Sequence, residues 1–152
     1  MSDEPWYADV VLPALLAAAR RRYGQEIRAA LAGAGFTDMP RAGARLVGGI
    51  ARNGPSLADA AADLAVSKQA ASQLVDTLVL RGYLERRPDP EDRRRIILNL
   101  TNRGRSAATE IRAAVERVDR RFADKVGIDK LAETRRVLAA LVEDGDPHFA
   151  PG

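Results

Sequence analysis

The sequence predicts a mainly α-helical chain with one small β-hairpin, and three observations carry that expectation. Apolar residues recur at helical spacing over most of the 152 residues. One stretch near residues 83–100 alternates with a period of two instead. Cap residues, glycines and prolines fall where one pattern gives way to the next. The length suits a single domain over residues 1–152.

From Trp6 to about Leu31, the residues Val10, Val11, Ala14, Leu15, Ala18 and Ala19 form a helical stripe, with Arg20 to Arg22 crossing to the polar side. Pro13 bends or interrupts this helix unless the helix begins only one residue earlier. Gly33, Gly35 and Pro40 mark a break. A second helix is expected over Arg41 to Arg52, ended by Asn53-Gly54-Pro55. Ser56, with Asp59 three residues on, starts a short third helix running to about Leu64.

Ser67 then caps a helix that reaches about Arg81, before Gly82 ends it. Ala71, Leu74, Val75 and Leu78 make a stripe that must face a core. Gln69, Ser72, Gln73 and Asp76 repeat the spacing on the other side, so amides and hydroxyls gather near the helix N-terminus. Such groups bond to base edges and phosphates, although the same pattern also describes any soluble amphipathic helix. Tyr83 to Arg87 and Ile96 to Leu100 read as paired strands around Pro88-Asp89-Pro90, where no helix can persist. Glu91, Asp92, Arg93, Arg94 and Arg95 fall at the hairpin tip. Arginines projected from a rigid turn suit the negative potential of a minor groove.

Thr101 caps a long helix with Ala107 or Ala108, Ile111, Val115, Val118 and Phe122 on its apolar side, and Gly127 breaks it. Asp129 is expected to cap a last helix carrying Leu131, Leu138, Leu141 and Val142, before Gly145 and Pro147. The stripes on the first and the last two helices exceed what a small core needs. Burial between two chains is their simplest use, and an intramolecular bundle is the alternative.

Composition narrows the function classes. Hydrophobic residues make up 46% and charged residues 30%, ordinary for a globular protein, and no apolar run is long enough to span a bilayer. Met1 to Pro5 lack a secretory signal, so a cytoplasmic protein is expected. Without cysteine there is no disulfide, thiolate zinc site or thiol switch. His148 is the sole histidine, which leaves no histidine-based nucleophile pair or multi-histidine metal site in one chain; an enzyme is not expected, and neither is a metal or cofactor.

The net charge is only +3, but residues 81–105 hold eight arginines against Glu85, Asp89, Glu91 and Asp92. That local surplus is the footprint of an anionic partner. For Glu91 and Asp92, salt bridges to the surrounding arginines are expected.

In this order, residues Ser56 to Gly104 resemble the winged helix-turn-helix of the multiple-antibiotic-resistance regulator (MarR) family. The matching residues run from Leu64 through Ser67-Lys68-Gln69 to Asp76, then Leu80-Arg81-Gly82-Tyr83-Leu84-Glu85-Arg86. Asp89-Pro90-Glu91-Asp92-Arg93-Arg94, with Leu100-Thr101 and Gly104, completes the signature. Ala65, where such turns often use glycine, and the alanine-rich Leu57 to Ala61 depart from the pattern.

The resemblance implies a winged helix-turn-helix core over about 36–104 and dimerisation helices over about 6–32 and 102–144. It implies a homodimeric regulator of transcription on double-stranded DNA, more commonly a repressor, at a pseudo-palindromic site with half-sites about 34–36 Å apart. DNA would be met by Ser67 and Lys68 at phosphates, by Gln69, Ser72 and Gln73 at base edges, and by the wing residues Arg86, Arg93, Arg94 and Arg95. Arg94 is the residue expected to enter the minor groove, and Asp92 is expected to orient an arginine by a charge-assisted bond. A small aromatic or anionic effector would release the DNA from a pocket for which Tyr23, Phe36 and Tyr83 are the candidates. An architectural or protein-binding module on the same fold is the rival reading. The operator, the target genes and the effector are not legible in the residues.

Overall fold

The computed structural model describes residues 4–54, 64 and 66–143. The short helix expected over Ser56 to Leu64, the turn at Ala65 and the ending at Gly145 and Pro147 lie outside them, apart from a buried Leu64. The described elements are α1 (Leu12–Gly33), α2 (Gly43–Asn53), α3 (Lys68–Leu80), β1 (Leu84–Pro88), β2 (Ile96–Leu100), α4 (Asn102–Val126) and α5 (Ile128–Glu143).

Helix α1 begins at Leu12 rather than near Trp6, which puts Pro13 in its first turn, where a missing N–H costs nothing. Residues 6–9 form turns instead, with the Ala8 N–H donating to the Pro5 carbonyl at 2.9 Å. Helix α2 starts at Gly43, two residues after the expected Arg41, and ends on Gly54 at φ 91°. A Cβ on Gly43 would lie 2.9 Å from Met39 Sδ and 3.0 Å from Leu78 Cδ2, so a bare backbone is what lets α2 approach α3 here.

The two strands form one antiparallel hairpin, with Leu84 opposite Leu100 and Pro88 opposite Ile96. Leu84 and Leu98 are buried, as period-two alternation requires. Ile96 shares their side of the pattern but is 58% exposed, because it pairs at the tip end of the hairpin beyond the reach of the core. Thr101 caps α4 as expected, its Oγ1 accepting from the Gly104 N–H at 3.0 Å. Gly127, at φ 98°, separates α4 from α5. Asp129 lies inside the first turn of α5 rather than at the cap, where its charge still favours the positive end of the helix dipole.

The core joins α2, α3, the hairpin root and α4 through Leu46, Val47, Val75, Leu78, Tyr83 and Ile111. Burying each of the large aliphatic side chains contributes roughly 1.5–3 kcal/mol. Helix α1 packs along α4, and α5 folds back on α4 as well, so α4 is the spine that links the hairpin to the flanking helices. Val11, Leu12, Ile128, Val137 and Leu141 remain more than half exposed.

Candidate nucleic-acid interface

Helix α3 owes its start to Ser67, which sits in an extended conformation with its Oγ accepting from the Ala70 N–H at 3.2 Å. Ala71, Val75 and Leu78 turn into the core. That orientation leaves Lys68, Gln69 and Gln73 exposed and Ser72 half-buried on the outer side. The remaining member of that polar face, Asp76, is not free. Its Oδ1 accepts from Arg86 on β1 at 2.5 Å, tying α3 to the hairpin.

The strand arginines are therefore occupied, since Arg87 pairs with Glu85 at 2.8 Å. The tip differs. Among the described residues, the guanidinium groups of Arg93, Arg94 and Arg95 make no ion pair, and neither do the carboxylates of Asp89, Glu91 and Asp92. The expected salt bridges are replaced by backbone turns. Asp89 accepts from the Glu91 N–H at 2.9 Å and Asp92 from the Arg94 N–H at 3.0 Å. Aspartate bonds readily to the amide two residues on, so Asp92 orients Arg94 through its main chain and not through its guanidinium. The Asp89 N–H donating to the Arg95 carbonyl at 2.9 Å closes the loop. The result is a folded tip with three exposed arginines aimed outward from a hairpin anchored to α3.

The three residues expected at an effector pocket are not brought together. Tyr23 lies where α1, α4 and α5 meet, its hydroxyl donating to Asp119 Oδ1 at 2.5 Å. Burial, and then that bond, push its pKa up to about 12. Tyr83 is fully buried, so its ring belongs to the core, with the Phe36 ring 6.1 Å away at a tilt. Phe36 borders a cleft of about 470 Å³ that also has Arg28, Leu31, Met39 and Arg41 in its walls. A second cleft, of about 490 Å³, lies between α2 and α4 with Arg52, Arg105, Arg112, Ile111 and Val115 around it. Helical spacing placed none of these arginines, because the walls come from different elements.

Sequence reasoning also missed the contacts at the hairpin root. The Tyr83 hydroxyl donates to Asp38 Oδ1 at 2.5 Å, and Arg103 donates to the same oxygen at 2.7 Å. Arg103 further donates to the Arg81 carbonyl at 2.8 Å and lies 4.4 Å from the Tyr83 ring centroid. The bond from Tyr83, helped by the Arg103 and Arg81 charges, holds the Asp38 carboxyl below its ordinary range. Burial, and then Asp38, push Tyr83 up to about 12. Asp38 and Arg103 stand 65 positions apart, so no local pattern announces the pair.

No group of three or more potential ligands for a metal occurs among the described residues, and no described helix is long and apolar enough to cross a membrane.

A helix with an exposed polar face, followed by a hairpin with a basic tip and flanked by helices from both chain ends, defines a winged helix-turn-helix protein. Residues 37–95 match the family model of the MarR family. This segment is similar in sequence to the MarR family, and the described chain shares the fold of solved MarR-family regulators. A MarR family transcriptional regulator from Silicibacter pomeroyi superposes with a TM-score of 0.76 at 23% identity, over 95% of each chain. The transcriptional repressor CouR, solved bound to a 23-mer DNA duplex, does so at 0.69 and 22% identity, over 93% of this chain and 99% of that one. The uncharacterized HTH-type transcriptional regulator YdcH of Bacillus subtilis (strain 168) is 37% identical over 51 residues. That alignment spans 34% of this chain and 35% of YdcH, about a third of the relative's length.

Proposed function

We propose that the protein is a homodimeric, sequence-specific DNA-binding regulator that represses transcription from a pseudo-palindromic site until a small aromatic or anionic effector releases it. The observation that carries the DNA reading is the division of labour among the arginines. Arg86 and Arg87 are held by Asp76 and Glu85, whereas Arg93, Arg94 and Arg95 are exposed without ion-pair partners among the described residues, as Lys68, Gln69 and Gln73 are exposed on α3. Unpaired guanidinium groups on a fixed turn release phosphate counterions and enter narrow minor grooves, while glutamine reads adenine edges. Ser72 and Ser67 complete the reading face, and the DNA-bound state of CouR, which shares the fold, supports the same use. The apolar residues left exposed at the start of α1 and along α5 support pairing of two chains through these helices.

The test is a fluorescence-anisotropy titration at fixed salt of duplex from the DNA flanking its own gene against random duplex. A preference of at least about a hundredfold is expected of a specific reader, and equal affinity overturns it. Sedimentation of the free protein at the mass of two chains is expected; a monomer at micromolar concentration overturns the dimer. Screening aromatic carboxylates and phenols against the bound complex tests release.

A further inference from the structure

We propose that Asp38, Tyr83 and Arg103 are positioning residues for DNA reading: together they set the angle between the reading elements, α3 and the hairpin, and the spine helix α4. The proposal rests on the DNA-reading function above, but its geometry stands independently. Four separate pieces of chain meet at this point. Asp38 comes from the α1–α2 connection, Arg81 from the end of α3, Tyr83 from the root of the hairpin and Arg103 from the first turn of α4. Asp38 Oδ1 receives both the Tyr83 hydroxyl and the Arg103 guanidinium, and Arg103 also holds the carbonyl that ends α3. The Arg81 guanidinium returns to the Asp38 carbonyl. Beneath them, Thr101 Oγ1 donates to the Gly82 carbonyl at 2.5 Å, and the Thr101 N–H donates to the Tyr83 carbonyl at 3.1 Å.

The position of this cluster makes it a pivot. It holds the C-terminal end of α3, while Gln69, Ser72 and Gln73 lie toward the opposite end. Thirteen helical residues span about 20 Å, so a tilt of about 10° at the pivot displaces the far end by about 3 Å. A hydrogen bond to a base edge tolerates only a few tenths of an ångström. A small loss of angular restraint therefore costs base contacts without unfolding anything.

The cluster is also placed to restrain more than to stabilise. Asp38 and Arg103 keep side-chain exposures of 40% and 42%, where ion pairs add little to folding. Tyr83 is fully buried, and Tyr83→Phe keeps the packed ring while removing only the hydroxyl.

The chain has no cysteine, so Ala70→Cys on α3 and Arg120→Cys on α4, both exposed positions, give a clean pair of spin-label sites. Labelled chains are diluted into unlabelled ones, and the distance within one chain is read by double electron–electron resonance. The parent should give one narrow distance. Tyr83→Phe and Asp38→Asn should shift its mean by about 3 Å or broaden it about twofold, with circular dichroism unchanged. The same variants should bind the preferred duplex about tenfold more weakly, with an unaltered salt slope, since no phosphate contact is removed. An unchanged distance distribution in the folded variants overturns the proposal, even if their melting points fall. Should Tyr83→Phe fail to fold, Asp38→Asn and Arg103→Gln carry the measurement alone. A parent that shows no duplex preference overturns the DNA-reading function instead, and with it the reading role of the pivot.

Discussion

Gly104 on α4 lies against the carbonyl of Tyr83 so closely that a Cβ at residue 104 would stand 2.1 Å from that oxygen. The same carbonyl accepts from the Thr101 N–H, so it cannot move aside without opening the junction of hairpin and helix. Gly104→Ala is therefore expected to destabilise the fold by about 3 kcal/mol, the upper end of overpacking costs. Urea unfolding followed by circular dichroism measures this. A parent-like midpoint at the same m-value would mean that the hairpin root yields at no cost.

Asp92 and Arg94 act on DNA in different ways, and the salt dependence of binding separates them. Arg94→Ala removes a cation, so duplex affinity should fall markedly; if the guanidinium neutralises a phosphate, the slope of log affinity against log salt should shrink by about one. Asp92→Ala removes the acceptor for the Arg94 N–H and a carboxylate charge, but no cation. It should weaken binding less, with the slope kept. Identical profiles for the two variants would argue against the turn-orienting role of Asp92.

The Asp76–Arg86 contact is short but exposed, which predicts a small energetic value. A double-mutant cycle on thermal or urea unfolding should give a coupling of no more than about 1 kcal/mol. Asp76→Ala should nevertheless raise affinity for random duplex, because it removes a negative charge from the reading face and frees Arg86. Unchanged or weaker nonspecific binding would place Arg86 outside the DNA footprint.

Acid and alkaline limbs of stability have separate origins. The Arg121 and Arg117 guanidiniums, at 2.6 and 3.2 Å, hold the Glu26 carboxyl below its usual range. Its contribution is present above the ordinary glutamate range and is lost as pH falls through the depressed value. Glu26→Gln should flatten that acid limb. Tyr23 and Tyr83 titrate near 12 instead of 10. Their folded states favour the protonated phenol, so their stabilisation is full below pH 10 and declines as pH rises toward 12. Tyrosinate absorbance should show two late-titrating groups, one of them removed by Tyr23→Phe. Titration of both at ordinary values would contradict the buried hydrogen bonds.

Residue order by itself determined the elements and their sequence: Ser67 and Thr101 as caps, Gly54, Gly82 and Gly127 as breaks, and the hairpin strand Ile96 to Leu100. These are local effects of dihedral preference, capping and periodicity, which act within a few residues and so can be read within a few residues. The start of α1 illustrates the limit, because the apolar stripe ran on before Leu12 while the chain there forms turns. Only the tertiary structure decided which arginines are spent and which are presented, since an ion pair such as Arg86 with Asp76 depends on how α3 and β1 cross. It also separated Tyr23 from Phe36 and Tyr83, and it joined Asp38 to Arg103 across 65 positions. Charge and hydrogen-bond partners are chosen by distance in space, and that distance exists only once the core has set the angles between helices.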